Sequence, residues 1–303
     1  MRRDRGGLAM FVAIGLIVVA CTRANDPQPG EPPDATIPTV SPPENSVSVV
    51  AAGDICSRSP GSCIRTAELV SSLRPDAVLT LGDNQYPDGS IDQYITGYDP
   101  AWGRFAEITY PVAGNHEWHT PDAGGYLEYF DRSTYWYTFT IGGWRLYALD
   151  GTCEDNGGCA SGDPQYRWLE AQLAERSDRC ILAYWHQPRF SSGEEHGSDD
   201  EVAPLWRLLD EAGGDLVLGG HEHNYERFSP QDADGQATAD GMVQIVAGTG
   251  GSSSGYPFAD PLPNSLVRLR GSGVVELSLF EGGWTARFVR PSGEVADQAA
   301  GNC

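Results

Sequence analysis

Lysine is absent from the 303 residues: all 20 basic side chains are arginine, against 42 acidic ones, for a net charge of −22. The missing lysine points to a GC-rich genome and decides no chemistry. The scarcity of positive charge argues against an electrostatic grip on nucleic acid or on an anionic membrane surface. Long apolar runs are lacking too. The run from Leu8 to Ala20 has 13 residues, short of the roughly 20 that a helix needs to cross a bilayer. Glycine and proline, 37 and 21 residues, fall below the content of collagen-like or disordered chains. The seven cysteines show no paired two-residue spacing, which argues against a thiolate zinc site. What is present is a chain with 40% hydrophobic and 10% aromatic residues, enough to bury a sizeable core in one large domain or two small ones.

The amino terminus reads as an export signal. Arg2, Arg3 and Arg5 precede the apolar run, and a small residue, Ala20, precedes Cys21. Val18-Val19-Ala20-Cys21 resembles a bacterial lipobox, in which the cysteine is lipidated and becomes the new amino terminus. The alternative is ordinary signal cleavage nearby. Residues 21–47 read as a proline-rich tether, with seven prolines between 22 and 47. The expected organisation is a signal over 1–20, the tether, and a folded domain over 48–303, on an exported protein that is surface-tethered or secreted and meets the membrane only through its lipid. Six further cysteines, an even number, suit disulfides in such a protein. Their spacing suggests Cys56–Cys63 and Cys153–Cys159, leaving Cys180–Cys303 to fasten the carboxyl terminus.

From residue 47 short β-rich runs alternate with helical patterns. Strands are expected over 48–52, 77–81, 109–113, 145–149, 181–185, 215–218 and 243–247, with a closing hairpin over 273–280 and 284–289. Helices are expected over 63–73, 165–176 and 202–212, the second capped by Asp163 with Pro164 in its first turn. No internal repeat is apparent, and the order is α/β with a β-rich close.

Five strand runs are followed at once by polar motifs: Gly53-Asp54-Ile55-Cys56, Gly82-Asp83-Asn84-Gln85-Tyr86, Gly114-Asn115-His116-Glu117, Tyr184-Trp185-His186-Gln187-Pro188 and Gly220-His221-Glu222-His223. Ligands of open α/β sheets sit beyond the carboxyl ends of the strands, so these motifs are expected to converge although about 170 residues separate the first from the last. They offer two hard carboxylates (Asp54, Asp83), an amide oxygen (Asn115), three imidazoles (His186, His221, His223) and a phenol (Tyr86). Oxygen and nitrogen donors without thiolate suit iron, zinc or manganese. Seven donors exceed the need of one ion and suit two, about 3.5–4 Å apart, sharing a carboxylate. A glycine before most of the motifs would let the backbone turn sharply into the site.

In this order the five motifs resemble the calcineurin-like metallophosphoesterases, and the Gly-Asp-x-x-Tyr form of the second resembles their purple acid phosphatase branch. The resemblance implies a four-layer α/β/β/α sandwich, in the compact layout without the extra amino-terminal β-domain of larger members. It places Asp54, Tyr86 and His223 on one ion, typically ferric, and Asn115, His186 and His221 on a second, divalent ion (iron, zinc or manganese), with Asp83 bridging. It gives His116 and His196 to the substrate, as phosphate contact or leaving-group acid. The fit around His196 is loose, and a solvated loop histidine is the other reading. Cys56 stands where the family usually has glycine. The implied activity is hydrolysis of a small phosphate ester by hydroxide generated at the ions, with no phosphoenzyme because Asp54 and Asp83 are occupied as ligands. A monoesterase is the first expectation, a phosphodiesterase or nucleotidase on the same site the second. A non-catalytic metal- or phosphate-binding lipoprotein is the third, against which the intact donor set argues. Arg189 and Arg227 are open between substrate contact and structural roles.

Overall fold

The computed structural model describes residue 1 and residues 42–57, 61–253 and 255–303. The export signal, Cys21 and the tether up to residue 41 lie outside the described residues. Thirteen strands follow in order: β1 (Val47–Ala52), β2 (Ala77–Leu81), β3 (Thr109–Val112), β4 (Tyr137–Ile141), β5 (Trp144–Ala148), β6 (Cys180–Tyr184), β7 (Leu216–Gly219), β8 (Tyr225–Phe228), β9 (Val243–Ala247), β10 (Ser265–Leu269), β11 (Val274–Phe280), β12 (Gly283–Val289) and β13 (Val295–Asn302). They form two mixed sheets, one ordered β13-β12-β11-β1-β2-β3 and the other β10-β8-β9-β7-β6-β5-β4. In the first, β1, β2 and β3 run parallel. In the second, β5, β6, β7 and β9 run parallel.

Alternation along each strand builds the layers, because successive side chains point to opposite faces. Val49 and Ala51 of β1, Leu79 and Leu81 of β2, Leu182 of β6 and Leu216 and Leu218 of β7 meet between the sheets. Val50, Ala52 and Val78 turn the other way, onto α1 (Gly61–Leu73). Ile181, Ala183 and Val217 turn outward with the buried residues Leu169, Leu205, Trp206 and Leu209. Those belong to two further helices, which we call α2 (Pro164–Glu175) and α3 (Ala203–Glu211). The result is helix, sheet, sheet, helix, the expected four-layer sandwich. Asp163 does occupy the residue before α2, but its carboxylate accepts from the Ala160 N–H instead of capping the helix.

All three expected disulfides are present, so Cys56 has no thiolate to offer a metal. Cys56–Cys63 ties the first motif to α1. Cys180–Cys303 joins the start of β6 in one sheet to the residue after β13 in the other, closing 123 residues of chain. Loop-closure entropy at that length sets an upper bound of roughly 5 kcal/mol on its contribution. Replacing both cysteines with serine should therefore lower the melting temperature far more than opening the six-residue Cys153–Cys159 link, and thermal melts of the two variants compare them directly.

Candidate metal centre

The carboxyl ends of β1, β2, β3, β6 and β7 face one another where the two sheets meet. Main-chain bonds knit these ends together: Asp54 N–H donates to Gly82 O at 3.0 Å, Ile55 N–H to Asp83 O at 2.9 Å, and Gly220 N–H to His186 O at 2.8 Å. The turns from strand to site are made by the donor residues themselves as much as by their glycines. Asp54 (φ 58°), Asp83 (φ 48°) and His221 (φ 68°) all sit in the left-handed region, a strain of about 1–3 kcal/mol each that the surrounding contacts must hold. Of the motif glycines, Gly82 shares this conformation (φ 84°). The others are there for room. A Cβ on Gly114 would stand 2.3 Å from Asp83 Oδ1 and 2.5 Å from Asp83 N. Gly114→Ala should thus displace Asp83 and lower both metal content and melting temperature; elemental analysis and a thermal melt check it.

The seven expected donors are distributed around two adjoining clusters. In the first, Tyr86 Oη lies 2.6 Å from Asp54 Oδ1 and 2.9 Å from His223 Nε2, and His223 Nε2 lies 3.0 Å from Asp54 Oδ1. Donors bound about 2.1 Å from one ion at right angles stand roughly 3 Å apart, so this triangle has the dimensions of a coordination face. In the second, His186 Nε2 lies 3.3 Å from Asp83 Oδ2 and 3.2 Å from His221 Nδ1. Oxygen or nitrogen atoms of Asp54, Asp83 and His186 fall within 4.8 Å of one another. Asn115 Oδ1 is buried without a hydrogen-bond partner, an acceptor that an ion would satisfy. With all six described cysteines in disulfides, the donor set is oxygen and nitrogen alone. The residues present fit a pair of iron, zinc or manganese ions.

Backbone and hydroxyl groups orient the imidazoles. His186 Nδ1–H donates to Leu81 O at 2.7 Å, which leaves Nε2 toward Asp83, and the Ser253 hydroxyl lies 2.8 Å from His223 Nδ1. Such partners fix ring orientation and donor basicity. Burial would raise the Asp54 pKa, but His223 and His186 hold it below the usual carboxylate value. Burial likewise opposes ionisation of Asp83, which His186 and His116 overcome. Burial and then the His186 charge push His221 down to about 3. The clustered imidazoles thus keep both carboxylates in the form a cation needs.

His116 Nδ1 lies 2.5 Å from Pro87 O, and its Nε2 lies 3.8 Å from Asp83 Oδ2. His196 stacks on His221 with ring centroids 4.0 Å apart, which brings it to the second cluster despite its place on an exposed loop. His119 reaches Pro87 O and Asp88 at the rim. The two arginines go elsewhere: Arg227 forms a partly buried bidentate pair with Asp297, and Arg189 pairs with Asp200.

Two carboxylates that sequence reasoning passed over as letters of their motifs hold the site together. Glu117 is fully buried and accepts from four main-chain N–H groups, those of Asp83, Asn84, Gln85 and Gly114, and from Tyr94 Oη. It clamps the second motif to the third. Glu222 accepts from the N–H groups of His196 and Gly197, each at 2.6 Å, and so carries the His196 loop. A charged residue inside a strand-end motif, where burial is expected, was the available signal. Tyr256, stacked 4.1 Å from His223, had none, because 33 residues separate the two.

A family model described as calcineurin-like phosphoesterase matches residues 47–225. Purple acid phosphatase 22 of Arabidopsis thaliana is 25% identical over 252 residues, covering 72% of this chain and 54% of the relative, so the chain spans about half that relative's length. A nucleotide pyrophosphatase/phosphodiesterase of Hordeum vulgare is 28% identical over 270 residues, covering 73% of this chain and 70% of the relative. Among solved structures, the purple acid phosphatase PPD1 of yellow lupin superposes with a TM-score of 0.69 at 21% identity, covering 84% of this chain and 53% of that one. At that identity the likeness is one of fold.

Proposed function

This chain belongs to the calcineurin-like phosphoesterase family, whose model matches more than half of its length, and on that premise we propose that it is an exported, lipid-anchored phosphomonoesterase of the purple acid phosphatase type. The observation that carries the reading is the meeting of seven oxygen and nitrogen donors from five strand ends. In this reading Asp54, Tyr86 and His223 would hold a ferric ion and Asn115, His186 and His221 a divalent one, with Asp83 available to both. Such a pair supplies Lewis acidity toward the phosphoryl and leaving oxygens and lowers the pKa of water.

The chain's own residues do the rest. His116 donates Nδ1–H to the Pro87 carbonyl, so it is as the imidazolium, with a second proton on Nε2, that the ring donates to a phosphoryl oxygen and steadies the charge developing there. His196, held by Glu222 over His221, is placed to give a proton to the leaving oxygen. The new P–O bond comes from water, the ester P–O bond breaks, and the alcohol leaves with the proton. Asp54 and Asp83 have their oxygens committed and act as no nucleophile. The three disulfides fit an oxidising compartment, in keeping with the export signal read at residues 1–20. The likeness to the barley enzyme keeps a diesterase as the second reading.

The full chain, supplied with iron, zinc or manganese, should turn over a chromogenic phosphate monoester much faster than the matching diester. The iron form should show a visible absorption band that Tyr86→Phe abolishes. Faster diester turnover would move the protein to the second reading, and no turnover on either ester with metal bound would overturn both. Mass spectrometry of the mature amino terminus checks lipidation at Cys21.

A further inference from the structure

His196 lies on the exposed loop that follows β6, and Glu222 holds it by the main chain, through the N–H groups of His196 and Gly197. Its ring is oriented by other rings. It stacks on His221 with centroids 4.0 Å apart and meets the Tyr256 ring edge-on at 5.8 Å. Tyr256 comes from a different loop, between β9 and β10, and is itself firmly held. Its N–H donates to His223 O at 3.0 Å, and its ring lies on the His223 ring with planes 8° from parallel. Gly255, just ahead of it, has φ 101°, and a Cβ there would stand 2.8 Å from Gly271 N. The chain thus enters Tyr256 by a turn that suits glycine alone. The residues after it pair with the start of the His196 loop. Glu194 N–H donates to Pro257 O at 3.1 Å and Ala259 N–H to Ser192 O at 2.9 Å, with Gly193 bridged to Phe258. The His223 ring that carries Tyr256 is pinned in turn between Ser253 and Tyr86.

An imidazole on an exposed loop samples several rotamers unless its neighbours exclude them, whereas a proton donor must stay within hydrogen-bond reach of the atom it serves. We propose, building on the phosphomonoesterase reading, that Tyr256 is a positioning residue of the reaction: its ring, carried by His223, holds the His196 imidazole on His221. Aromatic pairs favour the stacked and edge-on arrangements found here, so both contacts resist rotation of His196 away from the site. The contacts of Tyr256 that matter belong to its ring and main chain. Phenylalanine should therefore serve in its place, and an aliphatic side chain should not. Tyr256 makes and breaks no bond. The proton passes from His196 to the leaving oxygen as the ester P–O bond breaks, and water supplies the new one.

The test compares 4-nitrophenyl phosphate, whose leaving group departs as a stable anion, with propyl phosphate, whose alkoxide needs a proton. Single-turnover rates on the metal-supplied full chain report the chemical step. General acid catalysis contributes about 10²–10⁴-fold, and part of it should go when the acid is loosely held. Tyr256→Leu should slow propyl phosphate about tenfold more than the nitrophenyl ester, while Tyr256→Phe keeps the parent ratio. Tyr256→Met takes the place of the leucine variant if that one does not fold. In a His196→Ala background the leucine substitution should add nothing to the difference between the esters. Equal losses on both esters, a phenylalanine variant as impaired as the leucine one, or additive effects at the two positions overturn the proposal. If neither ester turns over, the phosphomonoesterase reading fails separately, and NMR of the histidine-labelled, zinc-supplied chain decides. A nuclear Overhauser contact between the His196 and His221 rings that Tyr256→Leu loses and Tyr256→Phe keeps supports the inference. A contact that the leucine variant retains, or that the parent lacks, sinks it.

Discussion

Asp83→Asn should abolish metal binding at the shared position and activity together, while the protein still folds. The backbone argument comes first. Asp83 has φ 48°, a conformation asparagine tolerates nearly as well as aspartate, and the amide oxygen of asparagine can still accept the His116 N–H that Asp83 Oδ1 takes at 2.9 Å. What is lost is charge. Asp83 is one of two buried carboxylates at the centre, and its Oδ2 faces His186 Nε2 at 3.3 Å. With Asp83 neutral, only Asp54 and the Tyr86 phenol could offset two multivalent cations. Losing an outer partner of a metal ligand costs about 10–100-fold in affinity or activity, so losing the shared ligand itself should exceed about 100-fold. Elemental analysis beside the monoester assay reads both quantities. Wild-type turnover with the metals gone would show that Asp83 does not bridge.

Glu117→Gln is expected to damage the site without touching a donor atom. Oε2 of Glu117 accepts from Asp83 N and Gly114 N, and Oε1 from Asn84 N, Gln85 N and Tyr94 Oη. An amide replaces one of these oxygens by an NH2 group, which cannot accept, so at least two buried N–H groups lose their partner and face another donor. Each such loss costs about 1–3 kcal/mol, and the variant should melt several degrees lower. Because the orphaned groups belong to the second and third motifs, Asp83 and Asn115 should lose their register, and metal affinity should fall with stability. Burial and the Asp83 charge raise the Glu117 pKa, while five converging donors favour the carboxylate. A variant that melts and binds metal like the parent would mean that a neutral carboxyl already occupies this position.

The strands that deliver the motifs were legible because each is a run of alternating or continuous β-formers stopped by a polar cluster. Expected and observed ends differ by a residue or so; β2 and β9 agree throughout. Four strands went unread. β13, Val-Ala-Asp-Gln-Ala-Ala-Gly-Asn, has one β-branched residue. Pairing with β12 and the Cys180–Cys303 link hold it in the sheet, and neither is a local property. β8 begins two residues after the fifth motif, β10 is a short outer strand, and β4 carries the alternating pattern Tyr-Thr-Phe-Thr-Ile.

The sequence by itself determined the kind of chemistry available: which oxygen and nitrogen donors exist, and that five strand ends present them. Its cysteine spacings suggested the disulfide pairing, which the structure then showed. Only the tertiary structure decided what those residues share. Glu117 and Glu222 became clamps because their carboxylates close on N–H groups from other loops, and Arg227 became structural because Asp297, 70 residues away, takes both of its bonds. Tyr256 and His196 meet from two loops that follow different strands. Hydrogen bonds and charge act through space over a few ångströms, and spacing along the chain measures that distance only within one helix, strand or turn.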